Sequence, residues 1–83
     1  MTFTRDDLIE FTNGERVVVL ESTIYEEKEY LMCVLLKDKS DEPSDTYRIY
    51  YVNYEIGQVE KVTDETLANY LFVVMNEKLK KDA

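Results

Sequence analysis

Acidic side chains are the commonest residues in this sequence that could do chemistry, and many of them stand in adjacent pairs. The pairs are Asp6-Asp7, Glu26-Glu27, Asp41-Glu42 and Asp64-Glu65. General acid–base catalysis needs carboxyl groups held in a cleft, where different surroundings separate their pKa values. These pairs fall instead in predicted turns and at a predicted helix start, where water solvates them. We therefore assign no catalytic residue and expect that the protein is not an enzyme.

The acidic loop at residues 38–45 is the best candidate for a cation site, because calcium and magnesium prefer oxygen ligands. Its carboxylates belong to Asp38, Asp41, Glu42 and Asp45. The loop lacks the ligand spacing of an EF-hand. A loose cation site there stays open as an alternative, and the prediction is that the protein has no metal and no cofactor.

Cys33 is the only cysteine, and the chain has no histidine to activate it. It lies in the most apolar run, so we expect a buried and inert thiol. A single thiol and a start without a basic and apolar leader favour a cytoplasmic location. The longest uncharged runs, residues 66–76 and 30–36, are far shorter than the roughly 20 residues of a membrane span. We therefore expect no membrane partner.

The chain has 83 residues, 18 of them acidic and 10 basic, and a net charge of -8. Nucleic-acid binding requires clustered Lys and Arg, so we expect no nucleic-acid partner. The charge permits a basic protein partner. An alternative function follows from the same number: an acidic decoy that mimics nucleic acid and occupies a basic groove of another protein.

Local patterns predict a single α+β domain over residues 1–83, with an antiparallel meander of about five strands and one C-terminal helix packed on one face. Runs rich in β-branched and aromatic residues predict the strands within about 7–62, at residues 7–11, 16–25, 30–36, 46–54 and 58–62. Asn13-Gly14 predicts a two-residue hairpin turn, and residues 26–29 predict a four-residue turn. The helix is predicted at about 64–80, because apolar residues recur at helical spacing and Thr63 or Asp64 can cap it.

The predicted turns divide the apolar residues between two faces of the sheet. The face carrying Leu31 and Cys33 is the more apolar, so the helix is predicted to cover it. One helix cannot cover both faces, and 45% of the residues are hydrophobic. Two explanations stay open. Either the sheet curls and buries both faces of its central strands, or it leaves an apolar patch for self-association or a protein partner.

The patch explanation leads to the main functional hypothesis, a non-enzymatic protein-interaction module. Tyrosine is favoured at protein interfaces, and an unpaired apolar face would leave several large side chains exposed. The candidate contact residues are Tyr30, Met32, Tyr50, Tyr54 and Phe72. A carboxylate or metal enzyme is the least favoured alternative.

The order of elements resembles the YrzB-like family of small acidic bacterial proteins, known as domain of unknown function 1292. The features that carry the resemblance are the Asn13-Gly14 turn, the strand ending at Ile24-Tyr25, the acidic loop and the segment 59–65 that opens the last helix. The resemblance covers residues 8–80. It implies a small bacterial cytoplasmic protein and brings no catalytic or binding residues, since the family has no established activity.

Overall fold

The computed structural model describes residues 3–82, which form one antiparallel sheet and one helix. The strands lie in the sheet in chain order, so each connection joins neighbours. The elements are β1 (Leu8–Glu10), β2 (Arg16–Tyr25), β3 (Lys28–Leu36), β4 (Pro43–Asn53), β5 (Gln58–Lys61) and α1 (Glu65–Asp82). The predicted α+β fold, a five-stranded meander followed by a C-terminal helix, is confirmed.

The two turns that join the first three strands differ in length from the predictions. β2 and β3 are joined by Glu26 and Glu27 alone, whose φ angles of 51° and 66° suit a type I′ turn. Asn13-Gly14 lies instead in the longer connection formed by residues 11–15, where the Glu15 N–H donates to Asn13 Oδ1 at 2.9 Å. Both predicted turn lengths are therefore wrong. The Asn13 side chain stabilises a local turn of its own, which the hairpin pattern does not distinguish.

A β-bulge at Leu20 exchanges the two faces of β2. The pairing with β3 skips Leu20, which becomes an extra residue on its strand. Val17 and Val19 therefore lie on the same side as Leu31 and Cys33. The predicted registers place these valines on the opposite face. That assignment is wrong because the extra residue at Leu20 reverses the faces of the β2 residues that lie beyond it from the β2–β3 turn.

α1 packs on the side of the sheet that carries Tyr30 and Met32. Leu71 and Met75 are its anchors, and neither side chain is exposed to solvent. The prediction placed the helix on the other face and is wrong. The apolar side chains of the Tyr30 side extend from β2 to β4, and α1 contacts all three of these strands.

The opposite side of the sheet is closed by the curvature of the sheet itself. Its buried core consists of Val17, Val19, Leu31, Cys33, Tyr50 and Val52. Phe11, in the β1–β2 connection, stacks on Tyr50 with ring centroids 5.2 Å apart. Arg48 of β4 donates to both carboxylate oxygens of Glu15, at 3.0 and 3.2 Å. The β1–β2 connection is thus fastened to β4 across the inside of the curl, which buries both faces of the central strands.

Asp64 defines the start of α1. Its Oδ1 accepts hydrogen bonds from the N–H groups of Thr66 and Leu67 at 3.0 and 3.2 Å, which satisfies two amides that the helix itself leaves free. Lys80 and Lys81 lie in the last turn, where the helix dipole favours cations. The predicted helix is confirmed, and of the two predicted cap candidates, Thr63 and Asp64, it is Asp64 that accepts these hydrogen bonds.

β4 begins at Pro43, earlier than predicted, so the acidic loop ends at Glu42. The Ser44 hydroxyl donates to the Leu35 carbonyl at 2.6 Å and holds the irregular start of β4 against β3. β5 is short and pairs only with residues 50–53 of β4. Residues 43–48 of β4 therefore have no strand beside them on that side within the described chain.

Candidate functional site

The structure buries three of the five predicted contact residues. Tyr30, Met32 and Tyr50 are only 6%, 2% and 3% exposed, and they lie in the two cores on either side of the sheet. These three cannot serve as surface contacts in this conformation, and the expectation that they would stay partly exposed is wrong. The physical reason is that α1 covers the first two, while the curl of the sheet covers Tyr50.

The other two predicted contact residues, Tyr54 and Phe72, are accessible but do not share a surface. Tyr54 follows the end of β4 and is half exposed, and its hydroxyl donates to Glu29 Oε1 at 2.6 Å. That hydrogen bond raises the pKa of the Tyr54 hydroxyl. Phe72 lies on α1, on the side of the sheet that carries Met32. Phe72 is therefore the only accessible one of the five that lines the candidate groove, although the buried Met32 lies at the floor of that groove.

An apolar row crosses four strands on the helix-bearing side of the sheet. Strand pairing sets Leu8 opposite Val18, Val18 opposite Val34, and Val34 opposite Tyr47. Directly opposed residues share a face, so these four form one continuous row. Leu8 and Tyr47, at its two ends, are 56% and 54% exposed. Val34, in the middle of the row, is only 5% exposed, and Val18 is partly buried, so the row is open to solvent mainly at its two ends.

A groove lies between this apolar row and α1. It has a volume of about 390 Å³ and is lined by Leu20, Met32, Tyr47, Phe72, Asn76 and Leu79. Phe72, Asn76 and Leu79 recur at helical spacing and form its helical wall. Tyr47 belongs to both the row and the groove. Together the row and the groove make one apolar surface beside the helix.

Carboxylates flank the apolar row at both ends. Glu10 follows Leu8 on β1 by two positions, and Asp45 precedes Tyr47 on β4 by two positions. Both are exposed, and neither forms an ion pair within residues 3–82. Both carboxylates lie on the same side of the row, toward the loop at residues 37–42, and Arg16, which pairs with Asp41, lies directly opposite Glu10. Asp45 is therefore the clearest unpaired acid beside the row, and it favours a positively charged partner.

Other acids of the chain are already engaged by cations. Arg16 pairs with Asp41 at 2.7 Å, and Lys37 pairs with Glu42 at 3.5 Å, so two of the four loop carboxylates are held by side chains. Among residues 3–82, no three Asp, Glu or Cys side chains form a group that could hold a metal ion.

Two ion pairs link distant parts of the chain: Arg48 and Glu15 inside the curl, and Arg5 and Glu21 on the side of the sheet that carries Met32. The hydrogen bond from Arg48 lowers the pKa of the Glu15 carboxyl and raises that of the guanidinium. Burial opposes ionisation of Glu21, but hydrogen bonds from Arg5 and from the Ser22 amide outweigh it, so the pKa of that carboxyl is lowered. Both carboxylates stabilise the folded chain in their charged form.

Cys33 lies in the core inside the curl and is not exposed. Burial raises the pKa of its thiol to about 12, so the reactive thiolate is scarce at neutral pH.

Comparison with known proteins found no matching family model, no similar curated protein and no similar solved structure. In the described part of the chain, α1 is too polar to cross a membrane, and no other helix is present to do so.

Sequence reasoning missed the apolar row, although part of its signal was present. Leu8 and Val34 are on one face in the predicted registers as well, but Val18 is assigned to the other face there. Only the observed connection at residues 11–15 sets Leu8 opposite Val18. The length of that connection and the bulge at Leu20, which sets Val18 opposite Val34, are the missing information.

Proposed function

We propose that this protein is a non-enzymatic interaction module that binds a basic protein through the apolar row and the adjoining groove. The observation that carries the proposal is the apolar row with its two exposed ends, together with the groove beside it. The opposite side of the sheet is closed by the curl and its fastenings, whereas the helix-bearing side keeps Leu8 and Tyr47 more than half exposed at 56% and 54%. Large exposed apolar side chains beside an apolar groove on a small domain mark an interaction site.

The charge of the chain supports a basic partner. The net charge is -8, and Glu10 and Asp45 flank the row without ion pairs in the described residues. A second copy of the same chain would bring equal charge against equal charge, which opposes self-association. A partner chain with Lys or Arg around apolar side chains would match both the apolar side chains and the negative charge of this surface.

A pair of matched substitutions tests the proposal. Leu8 and Ile56 are both 56% exposed, but Ile56 lies in the β4–β5 turn and outside the row and groove. A photoreactive aromatic residue in place of Tyr47 should crosslink to a partner in a lysate of the cells that make the protein. Leu8→Lys should abolish that crosslink, while Ile56→Lys, with the same change of charge, should preserve it. An unchanged crosslink in Leu8→Lys would remove the row from the function.

The acidic decoy is the second candidate, and the positions of the acids support it less. Successive turns of a meander lie at opposite ends of the sheet. Glu26 and Glu27 therefore lie at one end, and Asp38, Asp41 and Glu42 lie in the loop at the other. A phosphate-like track needs charges aligned along one surface, and two of these loop carboxylates are paired with cations.

Membership of the YrzB-like family and a cytoplasmic location are also proposals. The buried thiol of Cys33 fits a reducing compartment. Neither proposal adds a residue to the surface described above.

A further inference from the structure

We propose that the occupant of this surface is a basic amphipathic helix, which lies beside α1 and crosses the strands as α1 does. This inference rests on the proposed function and names the form of the partner. It follows from three features: the direction of the apolar row, the shape of the groove wall and the charges at the ends of the row.

The direction of the row selects a helix over an extended peptide. The row runs across β1 to β4, and four strands spaced by about 4.8 Å give it a length of about 14 Å. A helix of about 10 residues spans that distance with three or four apolar side chains on one stripe. An extended peptide would pair along the outer side of a single strand and would leave most of the row uncovered.

The wall of the groove has the form that a second helix fits. Phe72, Asn76 and Leu79 stand at positions i, i+4 and i+7 of α1, which form a ridge along one side of the helix. Neighbouring helices pack such ridges into each other's grooves at axial separations of about 8–10 Å. Met32 and Leu20 form the floor beneath that position.

The charges beside the row define one polar flank of the partner helix. Glu10 lies near the β1 end of the row and Asp45 near the β4 end. Both lie on the same side of the row, toward the loop at residues 37–42, because β1 and β4 run in opposite directions. Lys or Arg along that flank of the apolar stripe would meet these carboxylates, and the charge of -8 on the chain would speed the encounter.

Titration of the purified protein with designed peptides tests this inference. The probe is a peptide of about 14 residues with Leu at helical spacing and Lys elsewhere. One control replaces every Lys by Glu, and a second alternates Leu and Lys as a strand would. Binding is measured by fluorescence anisotropy, and amide shifts of the labelled protein locate it.

We expect the Leu/Lys helical peptide alone to bind and to shift the amides of the row and of the groove wall. Leu8→Lys should weaken binding roughly tenfold or more, and Ile56→Lys much less. Equal binding of the Glu peptide, tighter binding of the alternating peptide, or no binding of the helical peptide would overturn the inference. If the Tyr47 crosslink still depends on Leu8 in that case, the proposed function survives with a different occupant. If the crosslink does not depend on Leu8 either, both this inference and the proposed function are wrong.

Discussion

Truncation of Leu71 is the sharpest test of how α1 is held on the sheet. Leu71 is not exposed at all and lies in the core with Tyr30, Met32 and Ile49. Leu71→Ala removes three carbon atoms, which costs about 2 kcal/mol in transfer free energy. The cavity left behind raises the expected loss to about 3 kcal/mol.

A loss of this size is large for a chain of 83 residues. The free energy of unfolding of such a domain is expected to lie between about 4 and 12 kcal/mol. The midpoint of thermal unfolding should therefore fall by roughly 12–24 °C. Val73 provides the matched control on the same helix, because it is 63% exposed. Val73→Ala should change stability by only a few tenths of a kcal/mol, in the stabilising direction, since alanine has the higher helix propensity.

Urea unfolding followed by far-ultraviolet circular dichroism measures both variants. The slope of the free energy against urea concentration should be the same as in the unmodified protein, because the same surface is exposed on unfolding. A cost below about 1 kcal/mol for Leu71→Ala, or equal costs for the two variants, would refute the packing of α1 on the Tyr30 side. A smaller slope would show instead that the helix detaches before the sheet unfolds.

Three further predictions concern a turn, a cap and a buried carboxylate. Glu27→Gly should stabilise the protein by about 1 kcal/mol in the same urea assay, because glycine adopts the positive φ of 66° at no steric cost; a loss of stability would contradict the turn geometry. Asp64→Ala should cost about 1 kcal/mol through loss of its two hydrogen bonds to the first turn of α1, and Asp64→Asn should restore most of it. Glu21 has a lowered pKa when folded, so its charge stabilises the protein above the unfolded value of 4.5, and that stability is lost as the pH falls through the folded value. The stability difference between Glu21→Gln and the unmodified protein should therefore shrink as urea unfolding is repeated from pH 7 down to below pH 4, and a constant difference would contradict the ionised pair.

The elements of this fold could be predicted from the sequence because their signals are local. The density of β-branched residues in β2 places that strand at Arg16–Tyr25, as observed. The spacing of Leu67, Leu71 and Met75, together with Asp64, places the helix. These patterns depend on neighbours within a few residues, and the structure keeps them.

The registers could not be predicted because long-range contacts decide them. Phe11 stacks on Tyr50, which is far away in the sequence, and this contact draws residues 11–15 out of a tight hairpin. The bulge at Leu20 has no local sequence signal either. The candidate surface depends on both features, since together they decide which residues line the helix-bearing side. Three of the five predicted contact residues are buried because α1 and the curl of the sheet, which are also long-range features, cover them.

The short pairing of β5 leaves part of β4 as an exposed sheet edge, and this has a consequence for the behaviour of the protein at high concentration. An open edge is a template for strand addition between copies, which leads to aggregation. Residues 43–48 begin with Pro43, which has no N–H to donate to an incoming strand, and Asp45 is exposed within the same stretch. In an edge-to-edge dimer, the second copy would bring the same charge of -8 against this stretch. Pro43 and the negative charge thus oppose strand addition at the stretch of β4 that β5 leaves unpaired. The acidity of the chain therefore opposes aggregation, separately from any part in partner binding.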